Sequence, residues 1–197
     1  MIVVDVETTG TNPEKHSILS IGALNFDAPE QRFYGECRAW DGAHAEEEAL
    51  KINGATLESI HDPKKQSEHD LVMSFIEWAR TAQSWNFVGQ NPSFDLAFVA
   101  AACHRTHIEF PFPHRSLDTH TMAYMHLSVR GKEVPMNLPH HRTAMNLDFI
   151  LRYVGIPEEP KPHNALTGAL CHAEVASRLM FGKKLLPEFE LYPILSV

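Results

Sequence analysis

The sequence predicts an α/β fold, a mixed five-stranded sheet flanked by helices. Three observations lead there. The chain opens on a β-branched apolar run, Ile2-Val3-Val4, which reads as a buried central strand. Two further strand-like segments follow at once, Ser17 to Phe26 and Gln31 to Ala39. From Glu68 onward, amphipathic helices alternate with short apolar runs. Strands first, then helices between short strands, is the order of a mixed sheet covered by helices. At 197 residues the chain fits one domain with a substantial core.

The first strand ends in the turn signal Thr8-Thr9-Gly10. The next two strands form an antiparallel meander, with Ala28-Pro29-Glu30 as the expected hairpin loop. Ala45 to Lys51 reads as a short acidic helix, stopped by Ile52-Asn53-Gly54. Glu68 to Thr81 is amphipathic, with Leu71, Val72, Phe75, Ile76 and Ala79 on one side. Trp85 to Gly89 reads as a fourth strand parallel to the first. Asn91-Pro92 then opens a helix to about His104, Asn as cap and Pro at the first position. Leu117 to Thr119 is a last short strand, entering a helix over Met122 to Leu127. Ser128 to His141 reads as loop. Asn146 to Val154 is amphipathic, Gly155 to Pro162 is a proline-stiffened connector, and Asn164 to Phe181 is the last long helix. This order fits a ribonuclease-H-like sheet. Residues 1–181 are expected to form the domain. Residues 182–197 would be a C-terminal tail packed on it or extending from it.

The composition sets limits. Seventeen basic and 25 acidic residues give a net charge of -8, so the bulk balance offers no basic grip on duplex nucleic acid. Metal ions and a local patch can offset that charge, so a nuclease is not excluded. Cys37, Cys103 and Cys171 are far apart and lack CxxC spacing, as expected of free thiols in a reducing compartment. No signal peptide or membrane span is read, and a cytoplasmic location is the default. The 13 histidines are scattered and read as surface residues before a metal cage.

Three constellations could carry chemistry. Asp5 and Glu7 are two apart, so on a strand they share one face. Two acids on a core strand cost several kcal/mol unless something satisfies them, and a divalent cation does so. The bland reading is a solvated strand end. Asp95 sits near the start of a helix that follows a strand end, where open α/β proteins place ligands. The alternative is an acid that merely favours the helix dipole. His163 lies on a loop held by Pro160 and Pro162, just outside the Asn164 cap, and could take a proton from a nucleophilic water. The alternative is one more surface histidine.

VVDVETTG, NPSFD and HNALTGALCHAEV stand in the order and spacing of three motifs, and the chain here resembles the DEDDh (DnaQ-like) 3′-5′ exonucleases. The likeness runs from residue 1 to about 181, with SIGAL and SLDT matching supporting strands. It implies cleavage of the last phosphodiester of a single-stranded DNA or RNA 3′ end, releasing nucleoside 5′-monophosphates. It implies Mg²⁺ or Mn²⁺, two ions in the family and either two or only one here, held by Asp5, Glu7 and Asp95. His163 would be the general base. Thr8, Thr9 and Gly10 would hold the terminal nucleotide through backbone and side chains. Phe94 would lie near its base, Asn91 nearby, and Leu50 and Ile52 beside the scissile nucleotide. For Phe94 the competing reading is core packing, and for Asn91 a helix cap. Lys183-Lys184 reads as a solvated pair before a backbone contact.

One position departs from the family. Its third motif carries an Asp five residues after the His, and this chain has Gly168. Gly there also costs the helix roughly 0.5 to 1 kcal/mol relative to Ala. Three explanations stand at this level: decay into a binding protein, rescue by another residue such as His172 one turn on, or a chance or introduced variant of an Asp enzyme. Glu174 is six residues on and points elsewhere. The function classes are therefore a metal-dependent exonuclease, a catalytically inactive nucleic-acid-binding or complex-assembly module, or a hydrolase of small phosphodiesters. A protein partner or homodimer is a further expectation, with the apolar stretch Leu185 to Leu195 as a possible contact or as core.

Overall fold

A computed structural model of the chain describes residues 1–194; Leu195, the end of the apolar tail stretch, lies with residues 196–197 outside the described residues. The sheet has five strands: β1 (Ile2–Thr8), β2 (Ile18–Asn25), β3 (Ala28–Glu36), β4 (Phe87–Gly89) and β5 (Leu117–Asp118). Their order is β3-β2-β1-β4-β5, antiparallel through the first three and parallel from β1 to β5. The expected five-stranded mixed sheet is what forms.

The helices are α1 (Glu47–Ile52), α2 (Leu57–Ile60), α3 (Glu68–Ala79), α4 (Pro92–Arg105), α5 (Thr119–Val129), α6 (Leu147–Val154) and α7 (Ala165–Phe181). Side chains alternate across β1. Ile2, Val4 and Val6 join Phe75, Phe87 and Phe98 in one core, under α3 and α4. Val3 joins Leu24, Val88, Ile150, Leu151 and Ala169 in the other, under α6 and α7. Every residue of β2 is buried, because both faces of the sheet are covered there.

Several local expectations change. The hairpin turns at Phe26-Asp27, and Ala28-Pro29-Glu30 already belongs to β3. Pro29 is tolerated because β3 is an edge strand. The helix after β5 starts at Thr119, earlier than expected, because Asp118 accepts from the His120 N–H. The loop over 128–141 contains the first strand of a small hairpin, β6 (Met136–Asn137) paired with β7 (Arg142–Thr143). Two-residue strands are too short to leave a periodic signal. The four-residue α2 escaped for the same reason. Asn91 stands at the N-terminal cap of α4 but does not cap with its side chain. Its backbone is left-handed, at φ 54°, and its amide oxygen accepts from the Ser93 hydroxyl instead. Asn164 does cap α7, accepting from the Leu166 and Thr167 N–H groups.

Helix α7 lies unusually close to the sheet. Its buried side is built from Ala165, Gly168, Ala169, Ala173 and Ala176. Gly22 on β2 completes the approach, since a Cβ there would overlap the backbone of Ala165 and Leu166. Further along, Glu174 and Arg178 form a buried ion pair at 2.7 Å. Arg178 also donates to the carbonyls of Val154, Tyr192 and Pro193, and Glu174 accepts from the Leu185 and Leu186 N–H groups. This pair clamps the segment after α7, which buries Leu186 and Phe189 and leaves Leu191 exposed. Lys184 meets Glu190 at 3.6 Å. No helix among the described residues is long and apolar enough to cross a membrane.

Replacing Gly22 by Ala should therefore destabilise the fold by about 3 kcal/mol or more, because the clash is with backbone that has no rotamer to move. Urea unfolding will show a lowered midpoint; an unchanged midpoint would mean that α7 is not seated on β2.

Candidate active site

The site forms where β1 outruns its parallel neighbour. The β1–β4 register covers only Ile2–Phe87 and Val3–Val88, and β4 ends at Gly89. The Val6 N–H, farther along β1, is left without a strand partner on that side. Asp95, from the start of α4, accepts it through Oδ1 at 3.0 Å. Val6 lies between Asp5 and Glu7, so Asp95 is drawn to the two acids expected to work with it. Asp95 is itself buried.

The other side of the site comes from α7 and the loop before it. Gly168 occupies the helix turn that faces Asp5, and a Cβ there would collide with Asp5 Oδ2. The Asp5 carboxylate thus fills the space that a side chain at position 168 would need. His172, one turn on, is buried and holds its Nε2 3.4 Å from Asp5 Oδ1, while its Nδ1 has no partner. Glu174 turns away to Arg178, as its spacing suggested. His163 is about one third exposed, and its backbone N–H is fixed to the Ile52 carbonyl. Its Nδ1 lies 3.8 Å from Glu159 Oε2.

Glu159 is the residue that sequence reasoning missed. It is buried, although it sits in a polar, proline-rich connector beside the exposed Glu158. Its Oε1 has no hydrogen-bond partner. Glu7, Glu159 and His163 each bring a ligand atom within 4.8 Å of the others. The one sequence signal was an acid four residues before His163 on a stiffened loop, and acids in such loops are usually solvated.

Burial, and after it the crowding of like charge, raises these carboxyls. Burial, then Asp5 and Glu159, push the Glu7 carboxyl up to about 8. Burial, then Asp5, hold Asp95 well above the usual carboxylate range, against the opposing pull of the Val6 N–H. Glu159 is raised by burial and by Asp5, with His163 and His172 pulling it back.

A cleft of about 350 Å³ opens beside these groups, lined by Glu7, Ser20, Tyr34, Asn53, His163 and Asn164 among others. The Thr8 and Thr9 side chains do not reach it. Both residues are buried, and their hydroxyls donate to the carbonyls of Gly10 and His44. Strand-end hydroxyls with no solvent find main-chain acceptors. Gly10 is packed against the His16 ring. Phe94 is half-buried, its ring 4.8 Å from that of Phe98. Leu50 is buried, whereas Ile52 is exposed beside His163.

The Exonuclease family model (RNase T type) matches residues 2–176. The chain belongs to this exonuclease family. It is 33% identical over 184 residues to the 3′-5′ DNA exonuclease Cap18 of Escherichia coli, covering 88% of each chain. It is 30% identical over 139 residues to ribonuclease T of Haemophilus influenzae, covering 62% of this chain and 59% of that one. A zinc-bound crystal structure of an Escherichia coli ExoI–single-stranded DNA complex shares the fold. Its TM-score is 0.71 at 17% identity, covering 92% of this chain and 41% of that one. The chain thus spans only part of the length of ribonuclease T and of that exonuclease.

The raised carboxylates make metal-free stability depend on pH. A carboxyl whose folded pKa lies above its unfolded value is harder to ionise in the fold, so stability falls as pH rises between the two. For Glu7 that window runs from 4.5 to about 8. In EDTA, the melting temperature should fall from pH 5 to pH 8, and Glu7→Gln should flatten part of that slope. A melting temperature that rises across this window, or a slope unchanged in Glu7→Gln, would contradict the assignment.

Proposed function

We propose that this chain is a divalent-metal-dependent 3′-5′ exonuclease that releases nucleoside 5′-monophosphates from single-stranded DNA or RNA ends. The observation that carries the proposal is the meeting of Asp5, Glu7 and Asp95 around the Val6 N–H, with His163 on the neighbouring loop. Raised carboxylates and an orphaned buried oxygen fit a divalent cation, Mg²⁺ or Mn²⁺. Asp5, Glu7 and Asp95 would hold it. Such an ion lowers the pKa of bound water and neutralises charge on the phosphate.

The chain's own groups do the rest. His163 would take the proton of the attacking water at Nε2, the ring nitrogen turned away from Glu159. The water oxygen then bonds to phosphorus as the bond to the 3′-oxygen breaks, and the proton passes on to that oxygen. The partial exposure of His163 suits a base that must meet substrate. The Thr8 to Gly10 segment would contact the terminal nucleotide through its backbone. Phe94 would border the base and Asn91 would lie at the rim. A cleft that ends at the catalytic groups, on a chain of charge -8, favours a substrate held by its end over one gripped along its length. Three buried free cysteines fit a reducing, cytoplasmic setting.

Gly168 favours one competing reading, a catalytically inactive module that binds 3′ ends or a protein partner. The two separate on a 3′-labelled single strand with Mg²⁺ or Mn²⁺. Release of mononucleotides is expected, reduced at least about 100-fold by Asp5→Asn. Binding without release by the unaltered chain would favour the inactive module and overturn the enzyme.

A further inference from the structure

We propose that Glu159 completes the cation site in place of an acid at position 168, binding a divalent cation together with Glu7. The proposal rests on the exonuclease reading of the same cleft and assigns its missing ligand.

Position 168 offers no ligand in this chain. Gly168 has no donor, and Asp5 occupies the space where one would project. A carboxylate arrives from the loop before α7 instead. The Glu159 side chain is only 4% exposed, yet Oε1 has no hydrogen-bond partner. An orphaned carboxylate oxygen in a dry site costs free energy unless a proton or a cation meets it. Among the described residues no lysine or arginine pairs with Glu159, and its one ion-pair partner is His163 Nδ1 at 3.8 Å. Arg152, seven residues before it, is engaged by the neighbouring Glu158.

The placement is built by the chain around it. Pro157, Pro160 and Pro162 restrict the connector. Glu158 is held outward by Arg152, and the His163 N–H pins the end of the loop to the Ile52 carbonyl. Between those anchors Glu159 faces in, its ligand atom within 4.8 Å of those of Glu7 and His163. Two carboxylates at that separation suit a hard divalent ion that takes oxygen donors, such as Mn²⁺, with the His163 imidazole beside them kept as the base. The third-motif acid would thus have moved from the helix to the loop that carries the base.

The test is Mn²⁺ binding without substrate, read by electron paramagnetic resonance and by the melting temperature of the intact chain. Glu159→Gln should weaken Mn²⁺ binding at least about tenfold, or lose one bound ion. It should also shrink the Mn²⁺-induced rise in melting temperature. Metal-free Glu159→Gln should melt no lower than the unaltered chain, since a buried carboxylate is replaced by a neutral amide. A metal-free Glu159→Gln that melts well below the unaltered chain would overturn the proposal, since the carboxylate would then be structural and not a waiting ligand. Unchanged Mn²⁺ affinity in Glu159→Gln would also overturn it, whatever the variant's activity. If instead Mn²⁺ binding depends on Glu159 while the unaltered chain releases no nucleotide, the exonuclease reading fails and this site stands.

Discussion

Four carboxylates gather at one end of a buried strand, and their burial, compounded by mutual repulsion, is the constraint on which the site depends. Asp5 and Glu7 are fixed two apart on β1, Asp95 is tied to the Val6 N–H between them, and Glu159 closes in from the loop. Each charge raises the cost of ionising the next. The backbone N–H groups of Val6, Asp95 and Asn164 and two histidines lean the other way, and neither histidine is as close as a normal hydrogen bond requires for full compensation. Such an arrangement persists in a folded chain when a bound cation restores what burial removes.

The rest of the architecture holds that cluster in register. The early end of β4 frees the Val6 N–H and turns the chain into α4, which delivers Asp95. Gly22 and the alanines of α7 bring the last helix onto β1 and β2 at short range, which sets Gly168 against Asp5 and His172 beside it. The Glu174–Arg178 pair ties the far end of α7 to the segment that follows it. Packing of α7 and geometry of the site are therefore one constraint: what moves the helix moves the partners of Asp5.

Much of this was legible in the sequence because the signals are local. A period of two on an apolar strand put Asp5 and Glu7 together, a strand–turn–helix pattern located Asp95, and the Asn164 cap located His163. The five-stranded mixed sheet followed from element order. What stayed hidden depends on tertiary contacts. Glu158 and Glu159 are identical neighbours in a polar loop, and it is contacts distant from that pair in the sequence pattern, Arg152 for one and the Glu7–His163 cluster for the other, that distinguish the outward from the inward side chain. Gly168 read as a lost ligand with a helix penalty, whereas the structure shows the Asp5 carboxylate lying in its place. Thr8 and Thr9 read as substrate contacts because they follow the acids, yet their hydroxyls satisfy buried carbonyls.

The central claim is that a cation neutralises this carboxylate cluster. Anomalous diffraction from crystals soaked in Mn²⁺ and a nucleoside 5′-monophosphate tests it most directly. The account predicts a manganese peak bounded by Asp5, Glu7 and Asp95, with the nucleotide phosphate against it. A fully occupied nucleotide in the cleft with no manganese among those three carboxylates would contradict it.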